Sequence, residues 1–381
     1  MTTQIHDAEA TLLCDALAVA PTALKLLSRE PLGAGTVAGF ALDAGGVAYV
    51  DTSGLAVRKE TGLALEGVAR VWMHPADPHL PALAPAAFGD AAEALLARLG
   101  IVAEGLPEIV GYRPGRRAVL RVPVAEGTGT VWVKVVRPRR IERIVETHRA
   151  LREGGLPVPV VRGWSPEGLL ILDDAIGVAA TDGAWQPDAL VDAVDLLRER
   201  LAAAALPGVA RTSFAARLPW YAERIEAAMP AHASEVRALA AAASARLPDA
   251  VAAQTIHGDL HIGQLFLDPG DGSVTGLIDV DTAGQGAAAD DASAFIGHAI
   301  ASAVLTAEGG DARRIAQLAE LALARWASDA GTRALTAVHV LGHALAAAES
   351  GAPQRAVLLL TAAREVLEDG KRPLTSGFER P

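Results

Sequence analysis

The sequence predicts an α+β protein in which a small antiparallel sheet precedes a larger, mostly helical lobe, with an accessory α+β region in front. Three observations predict it. Within positions 106–177 the segments EIVGY, RAVLRVPV and TVWVKVV are rich in β-branched residues and are bounded by RPGR and AEGTG, the composition of strands joined by turns. RRIERIVETHRALREGG then reads as a helix closed by glycines, and LPVPVVRGW and LLILDD read as two further strands, giving the order β-β-β-α-β-β. Across 178–381, alanine-rich runs such as LAAAALPG and ALAAAASARL prevail, and alanine is the strongest helix former.

Residues 1–105 combine a short helix, EATLLCDALAV, with strand-like pieces set apart by glycine, TVAGFAL and VAYVDT. VWMHPADPHLPALAPAAF is broken by prolines, and AAEALLARLG is a helix ended by glycine. This region carries no chemical motif and reads as an accessory lobe. A chain of 381 residues is long enough for two or three cores. Hydrophobic residues make up 51% and charged residues 21%, which excludes a disordered chain. Aromatic residues are only 4%, so alanine, leucine and valine must fill the interior.

The formal net charge of -11 argues against a nucleic-acid partner, because phosphate-binding surfaces need clustered Lys and Arg. A single cysteine, Cys14, excludes an internal disulfide and reads as a buried apolar residue. The opening MTTQIHDAEATLL has early acids and no basic segment before an apolar run, so no signal peptide is expected. The best apolar stretch, LTAVHVLGHALAAA, is too short to span a membrane and carries two histidines. The expectation is a cytoplasmic protein with no membrane partner.

Against this background HGDLHIGQLFLDPGDGSVTGLIDVD, residues 257–281, gathers five carboxylates, two histidines and an amide. QLFLD and SVTGLID alternate apolar residues and flank PGDG, a strong turn signal. The segment is therefore a hairpin, and antiparallel pairing returns Asp279 to the side of Gln264. Asp259, in the loop just before, faces the same corner. A carboxylate beside an amide, with a second carboxylate upstream, is a hard-oxygen set suited to Mg²⁺. An acid left off the metal can take a proton from a hydroxyl, the division of labour that phosphoryl transfer from a nucleotide needs.

His257-Gly258-Asp259, Gln264, Ile278-Asp279, Gly286 and Asp291 together resemble the catalytic signature of the aminoglycoside phosphotransferase family, which has a protein-kinase-like bilobal fold. The resemblance covers residues 108–300 and, more loosely, the helices beyond. It implies ATP and Mg²⁺ as cofactors and a small-molecule hydroxyl acceptor: a sugar, an amino sugar or an aminoglycoside. By the same resemblance Asp259 matches the catalytic base, Gln264 and Asp279 match metal ligands, and Asp291 matches the carboxylate that steadies the catalytic loop. His257 is then a structural histidine of that loop.

Upstream, Lys134 in VWVKVV matches the phosphate-contacting lysine, with Glu146 as its ion-pair partner and Glu142 the competing candidate one turn earlier. LLILDDAIG matches the hinge whose main-chain groups pair with adenine, near Asp174 and Ala175. Two departures stand out. Gln264 replaces the family's Asn, a form of HGDLHxGQ that is similar to maltokinases and bacterial glucosamine kinases. The turn in the place of the glycine-rich phosphate loop is YRPGRR, where Arg116 or Arg117 is the candidate phosphate contact.

Other readings of the same residues stay open. His257, Asp259 and His261 would form a His-x-Asp-x-His set for a metal-dependent hydrolase, which leaves Lys134 and the hinge unexplained. Asp279 and Asp281 have the Asp-x-Asp pattern of a glycosyltransferase, without the strand–helix alternation that should precede it. A nucleotide-binding pseudokinase or regulatory protein is suggested by the turn YRPGRR, while the joint presence of Lys134, Asp259 and Asp279 argues for transfer. Asp290 reads as the N-cap of ASAFIGHAI, and Asp268 and Asp271 as turn residues. His298, His339 and His343 read as core or groove residues, Trp220 and Trp326 as packing, and Asp329 and Glu349 as solvated helix faces.

Overall fold

The structure of the chain, a computed structural model, describes residues 8–125, 129–247, 252–306 and 310–368. The chain divides into two units, Met1–Glu146 with Val160–Asp174, and Thr147–Pro159 with Ala175–Pro381. The first unit takes in both the accessory region and the small sheet, so the expected boundary after residue 105 falls inside it.

The accessory region starts with α1 (Ala8–Leu17) and continues through β1 (Leu24–Leu32), β2 (Gly35–Leu42), β3 (Val47–Asp51), β4 (Leu63–Leu65) and β5 (Ala69–Met73). These strands make one antiparallel sheet in the order β1-β2-β3-β5-β4. One face packs Phe40, Val50 and Val71 against Leu13 of α1, burying them almost completely. Cys14 of the same helix is only half-buried, not buried as its residue type suggests. The sequence reading found β2 and β3 and missed β1. As an edge strand carrying Lys25, Arg29, Glu30 and Pro31 with mostly exposed side chains, β1 has no apolar alternation to betray it. β5 was hidden because its VWM opens a stretch that reads as proline-broken.

Two helices, α2 (Leu83–Ala87) and α3 (Gly89–Ala97), lead to the second sheet. Its strands are β6 (Glu108–Arg113), β7 (Arg117–Pro123) and β8 (Thr130–Val136), then β9 (Val161–Ser165) and β10 (Leu169–Asp173) after α4 (Ile141–Glu153). This is the expected β-β-β-α-β-β order, and the spatial order is β6-β7-β8-β10-β9, all antiparallel. Strand alternation divides β8 between two cores. Val131, Val133 and Val135 pack with Leu83 of α2 and Leu96 of α3, while Trp132 and Val136 pack with Ile141, Ile144 and Val145 of α4.

One buried carboxylate ties the two sheets of this unit together. Asp77 is 1% exposed. Its Oδ2 accepts from the Gly115 N–H at 2.7 Å and the Tyr112 hydroxyl at 2.9 Å, and its Oδ1 accepts from the His79 N–H at 2.8 Å. The His79 ring then meets Asp51 Oδ2 at 2.8 Å. Gly115 sits at φ 66° in the β6–β7 turn, a left-handed conformation that favours glycine. Burial pushes the Asp77 carboxyl up, which its three donors oppose.

The second unit is mostly helical, as expected from residue 178 on. It contains β11 (Val178–Ala179), α5 (Pro187–Ala203), α6 (Leu218–Ala228), α7 (Ala233–Ser244), β12 (Ala253–Ile256), β13 (Leu265–Leu267), β14 (Val274–Leu277) and β15 (Gly284–Ala287). The last four helices are α8 (Ala288–Leu305), α9 (Gly310–Trp326), α10 (Ala330–Glu349) and α11 (Pro353–Leu367). One large core, including Phe295, Ile300, Val338, Leu341 and Leu359, runs through them. β13 and β14 form the expected hairpin, with Asp268 and Asp271 accepting backbone N–H groups in its turn. No described helix is long and apolar enough to cross a membrane.

Asp77→Ala removes one acceptor from three buried donors. Urea unfolding followed by tryptophan fluorescence should show a loss of about 2–4 kcal/mol; a change below about 0.5 kcal/mol would mean that the junction does not depend on this carboxylate.

Candidate active site

The site is built on the loop that leaves β12. Asp291, in the first turn of α8 and 2% exposed, turns both carboxylate oxygens onto that loop. Oδ2 accepts from the His257 N–H and Oδ1 from the Gly258 N–H, each at 2.7 Å. Burial raises the Asp291 carboxyl, and His257, the two N–H groups and Arg198 pull it back. The His257 ring donates from Nε2 to the Ile278 carbonyl at 3.1 Å, and Thr282 Oγ1 donates to the His257 carbonyl at 2.9 Å. Gly258 has φ 84°, and a Cβ there would lie 2.7 Å from the Thr282 carbonyl oxygen. Glycine lets the chain turn sharply just before Asp259.

Asp259 is held from one side. Its Oδ2 accepts from Arg211 Nη1 at 2.7 Å, while its Oδ1 lies 4.0 Å from His298 Nε2. Arg211 comes from the segment between α5 and α6, where its N–H bonds the Thr282 carbonyl and its guanidinium covers the Phe214 ring at 4.5 Å. Sequence reasoning did not single out Arg211: it lies 48 positions before Asp259, and no spacing rule links them.

His298 is the centre of a group of imidazoles. His261 lies 4.4 Å and His343 4.7 Å from it between ring centroids, with His339 at 6.3 Å. His261, His298 and His343 are partly exposed and His339 is buried. Burial first, then the neighbouring imidazoles, holds His298 down to about 2. Burial, His343 and the guanidiniums of Arg211 and Arg217 hold His339 down to about 3. The sequence placed His298, His339 and His343 in a core or groove and offered His261 for a metal set; the hint of something more was the one-turn spacing of His339 and His343 on α10.

The hairpin register pairs Leu265 with Leu277, and the Ile278 N–H bonds the Gln264 carbonyl at 3.0 Å. Asp279, the next residue, is therefore beside Gln264, as antiparallel pairing requires. Gln264 is 3% exposed, and its Oε1 accepts from the His261 N–H at 3.1 Å. Asp279 has φ 57° and ψ 38°, a left-handed conformation that costs a non-glycine residue about 1–2 kcal/mol. Such strain at a carboxylate is typical of functional positions. An amide oxygen with a second lone pair and an adjacent carboxylate fit a hard divalent cation such as Mg²⁺. Asp281 lies in the short helical turn Val280–Thr282 that follows.

Several alternative assignments do not assemble. The His257 ring is turned onto a carbonyl and His261 Nδ1 accepts from the Gly263 N–H, so neither joins Asp259 in a hydrolase-type set. Among the described residues no group of three or more His, Cys, Asp or Glu is arranged to hold a metal. Asp290 is not an N-cap: Ala287 holds that place, and Asp290 lies in the first helical turn accepting from Ser213 Oγ at 2.6 Å. Asp329 is exposed, as expected, and is also the N-cap of α10, accepting from the Thr332 N–H. Glu349 pairs with Arg224, and the Trp326 indole donates to Asp195.

The remaining candidates lie along the second sheet. Lys134 is 7% exposed on β8, in register with Val119 and Leu170, on the side of the strand that packs toward α4. Glu146 and Glu142 both stand at exposed positions of α4. The Asp174 carboxylate accepts from the Trp132 indole at 2.9 Å, and Ala175 is buried. Arg116 donates to the Pro31 carbonyl and lies 3.8 Å from Glu30. Its guanidinium is thus directed onto β1.

Residues 111–335, more than half of the chain, match the model of the phosphotransferase enzyme family. The structure is similar to aminoglycoside phosphotransferase APH(4)-Ia, with 15% identity and a TM-score of 0.51 over 74% of this chain and 98% of that one. It is similar also to a thermostable mutant of that protein in ternary complex with ADP and hygromycin B (15% identity, TM-score 0.52, 73% and 98% covered). A third likeness is to such a mutant with AMP-PNP and hygromycin B (16%, TM-score 0.51, 74% and 99%). At these identities the likeness shows the fold, which is the protein-kinase-like α+β fold that the sequence predicts. No curated protein matches the chain.

The neutral imidazoles carry a pH dependence. Unfolded histidine binds a proton near 6.5, whereas His298 and His339 in the fold do so only near 2 and 3. The stability that rests on keeping them neutral is complete above about pH 6.5 and is lost progressively as pH falls toward those values. Urea unfolding between pH 7 and 5 should show a fall of about 1–3 kcal/mol per pH unit below 6.5, and a His298→Asn, His339→Asn double variant should flatten it. Equal slopes in the two proteins would show that other groups govern the dependence.

Proposed function

The chain belongs to the phosphotransferase enzyme family, and from that we propose that it moves the γ-phosphate of ATP to a hydroxyl of a small molecule, with Asp259 as base and Mg²⁺ as cofactor. The observation that carries the reading is the setting of Asp259. It follows a loop clamped by Asp291, one of its oxygens is fixed by Arg211, and the other is turned toward a partly exposed group of imidazoles. The complexes of the similar structures with ADP and AMP-PNP support the nucleotide.

Lys134 holds phosphate oxygens by its ammonium group, with Glu146 as the candidate that orients it. Main-chain groups at Asp174 and Ala175 receive the adenine. Gln264 and Asp279 hold Mg²⁺, which when bound neutralises charge on the phosphates. Asp259 Oδ1 accepts the proton of the acceptor hydroxyl as that oxygen forms its bond to the γ-phosphorus. The bond from the γ-phosphorus to the bridging oxygen breaks, ADP takes the electron pair, and Asp259 later yields its proton to water. Arg211, bonded to Oδ2, leaves Oδ1 as the oxygen that meets the acceptor.

The charges acting on the imidazole group favour a sugar-like acceptor. They are the guanidiniums of Arg211 and Arg217 and the carboxylates of Asp259 and Asp279. Both carboxylates have a part in transfer, and the two guanidiniums repel the ammonium groups of an aminoglycoside. An aminoglycoside is the second reading, favoured by the hygromycin B complexes of the similar structures.

ADP release from Mg·ATP with pooled sugars and pooled aminoglycosides tests the reading. Asp259→Asn should lower acceptor-dependent turnover by about 10²–10⁴. Arg211→Met should lower kcat by about tenfold or more with the KM for ATP nearly unchanged. Wild-type turnover in Asp259→Asn would remove that residue from the chemistry, and nucleotide binding with no transfer to any acceptor would favour a pseudokinase.

A further inference from the structure

The first unit holds a cavity of about 250 Å³ lined by residues 55–58, Pro78, His79, Pro81 and residues 137–139. None of its lining residues has a part in the transfer reading. Three of them are arginines: Arg58, Arg137 and Arg139. Arg58 pairs with Glu167 at 3.3 Å, but both side chains are more than half exposed, and such a pair holds little. Among the described residues neither Arg137 nor Arg139 makes an ion pair.

Arg137 is the informative one. Its Nε donates to the Gly115 carbonyl at 2.6 Å, which fixes the guanidinium. One of its Nη atoms is buried with no hydrogen-bond partner among protein atoms. Burial and the nearby cations Arg139, Arg116 and Arg140 all disfavour its charge, and Asp77 alone offsets them. The walls between the guanidiniums are largely Leu55, Pro78, Pro81 and Pro138, rigid and apolar, and low-dielectric walls focus the field of the charges that line them.

We propose that this cavity is a binding site for a phosphate group, either free or carried on a small metabolite. A guanidinium presents a planar fork that matches phosphate oxygens, and three guanidiniums suit a dianion better than a monocarboxylate. The volume lies just below the roughly 300–1,000 Å³ of drug-sized ligand sites, which fits a phosphate with at most one small ring attached. Through Arg137 and the Gly115 carbonyl the occupant is one hydrogen bond away from the β6–β7 turn. That turn is also the one fixed by Asp77.

The test is thermal unfolding of the full chain at constant ionic strength, with chloride replaced by inorganic phosphate or by glucose 6-phosphate. Both variants, Arg58→Ala with Arg139→Ala, and separately Lys134→Ala, are titrated in parallel. Phosphate should raise Tm beyond chloride, and the double arginine variant should weaken that binding by at least about tenfold. Its Tm in chloride should stay at the wild-type value, because both side chains are exposed. Lys134→Ala should keep the phosphate response. Glucose 6-phosphate binding about tenfold tighter than phosphate would identify a phosphorylated metabolite as the ligand, and equal binding would identify free phosphate. The proposal is overturned if phosphate acts no differently from chloride, if the double variant binds it unchanged, or if Lys134→Ala alone abolishes the response.

Discussion

The Asp291 carboxylate, with its two oxygens on the His257 and Gly258 N–H groups, is the contact from which the second unit's polar corner is built. A loop at this point can make no ladder of its own, because Gly258 is left-handed and β12 has ended. Its buried N–H groups would be left unpaired without an acceptor from elsewhere. Asp291 supplies it from the first turn of α8, where the helix N-terminus favours negative charge. A neutral amide offers a single acceptor oxygen, whereas the carboxylate turns a separate oxygen onto each N–H. The position of Asp259, one residue later, follows from that pairing together with the His257 ring on Ile278.

The corner around Asp259 combines groups that oppose one another. A guanidinium holds one oxygen at 2.7 Å, and neutral imidazoles stand near the other. Were the imidazoles charged, they would compete with an acceptor for the carboxylate and repel Arg211. Burial keeps them neutral, so they add donors and acceptors without adding charge. The same burial explains why four histidines can stand so close without a compensating acid for each.

How much of this could be read from the sequence follows from how local each feature is. The hairpin from Gln264 to Asp279, the strand order around Lys134 and the helical texture beyond residue 178 all rest on patterns within a few residues, and the structure has them. The accessory sheet was half legible. Two of its three inner strands, β2 and β3, alternate or run apolar, but the edge strand β1 is polar and the third inner strand, β5, merges into a proline-rich stretch. Arg211 and Asp77 were not legible at all. Each acts on a partner about 40 positions or more away, through contacts that only the assembled chain creates. Asp290 was misread because an acid before an apolar run resembles a cap, whereas α8 already begins at Ala288, ahead of it.

The bond from Asp77 to Gly115 also bears on how this chain can change by recombination. A sheet of five strands with its own helix looks like a cassette that could be lost, doubled or exchanged between genes. Cutting it off after residue 105 would remove the one acceptor that the Gly115 N–H and the Tyr112 hydroxyl share, and would bare the Tyr49 and Trp72 rings that pack beside Tyr112. An exchange that preserved both parts would need to carry Asp77, Tyr112 and Gly115 together, across any join placed between them. The stretch that must be inherited as one piece therefore runs at least from Asp77 to Gly115, straight across residue 105.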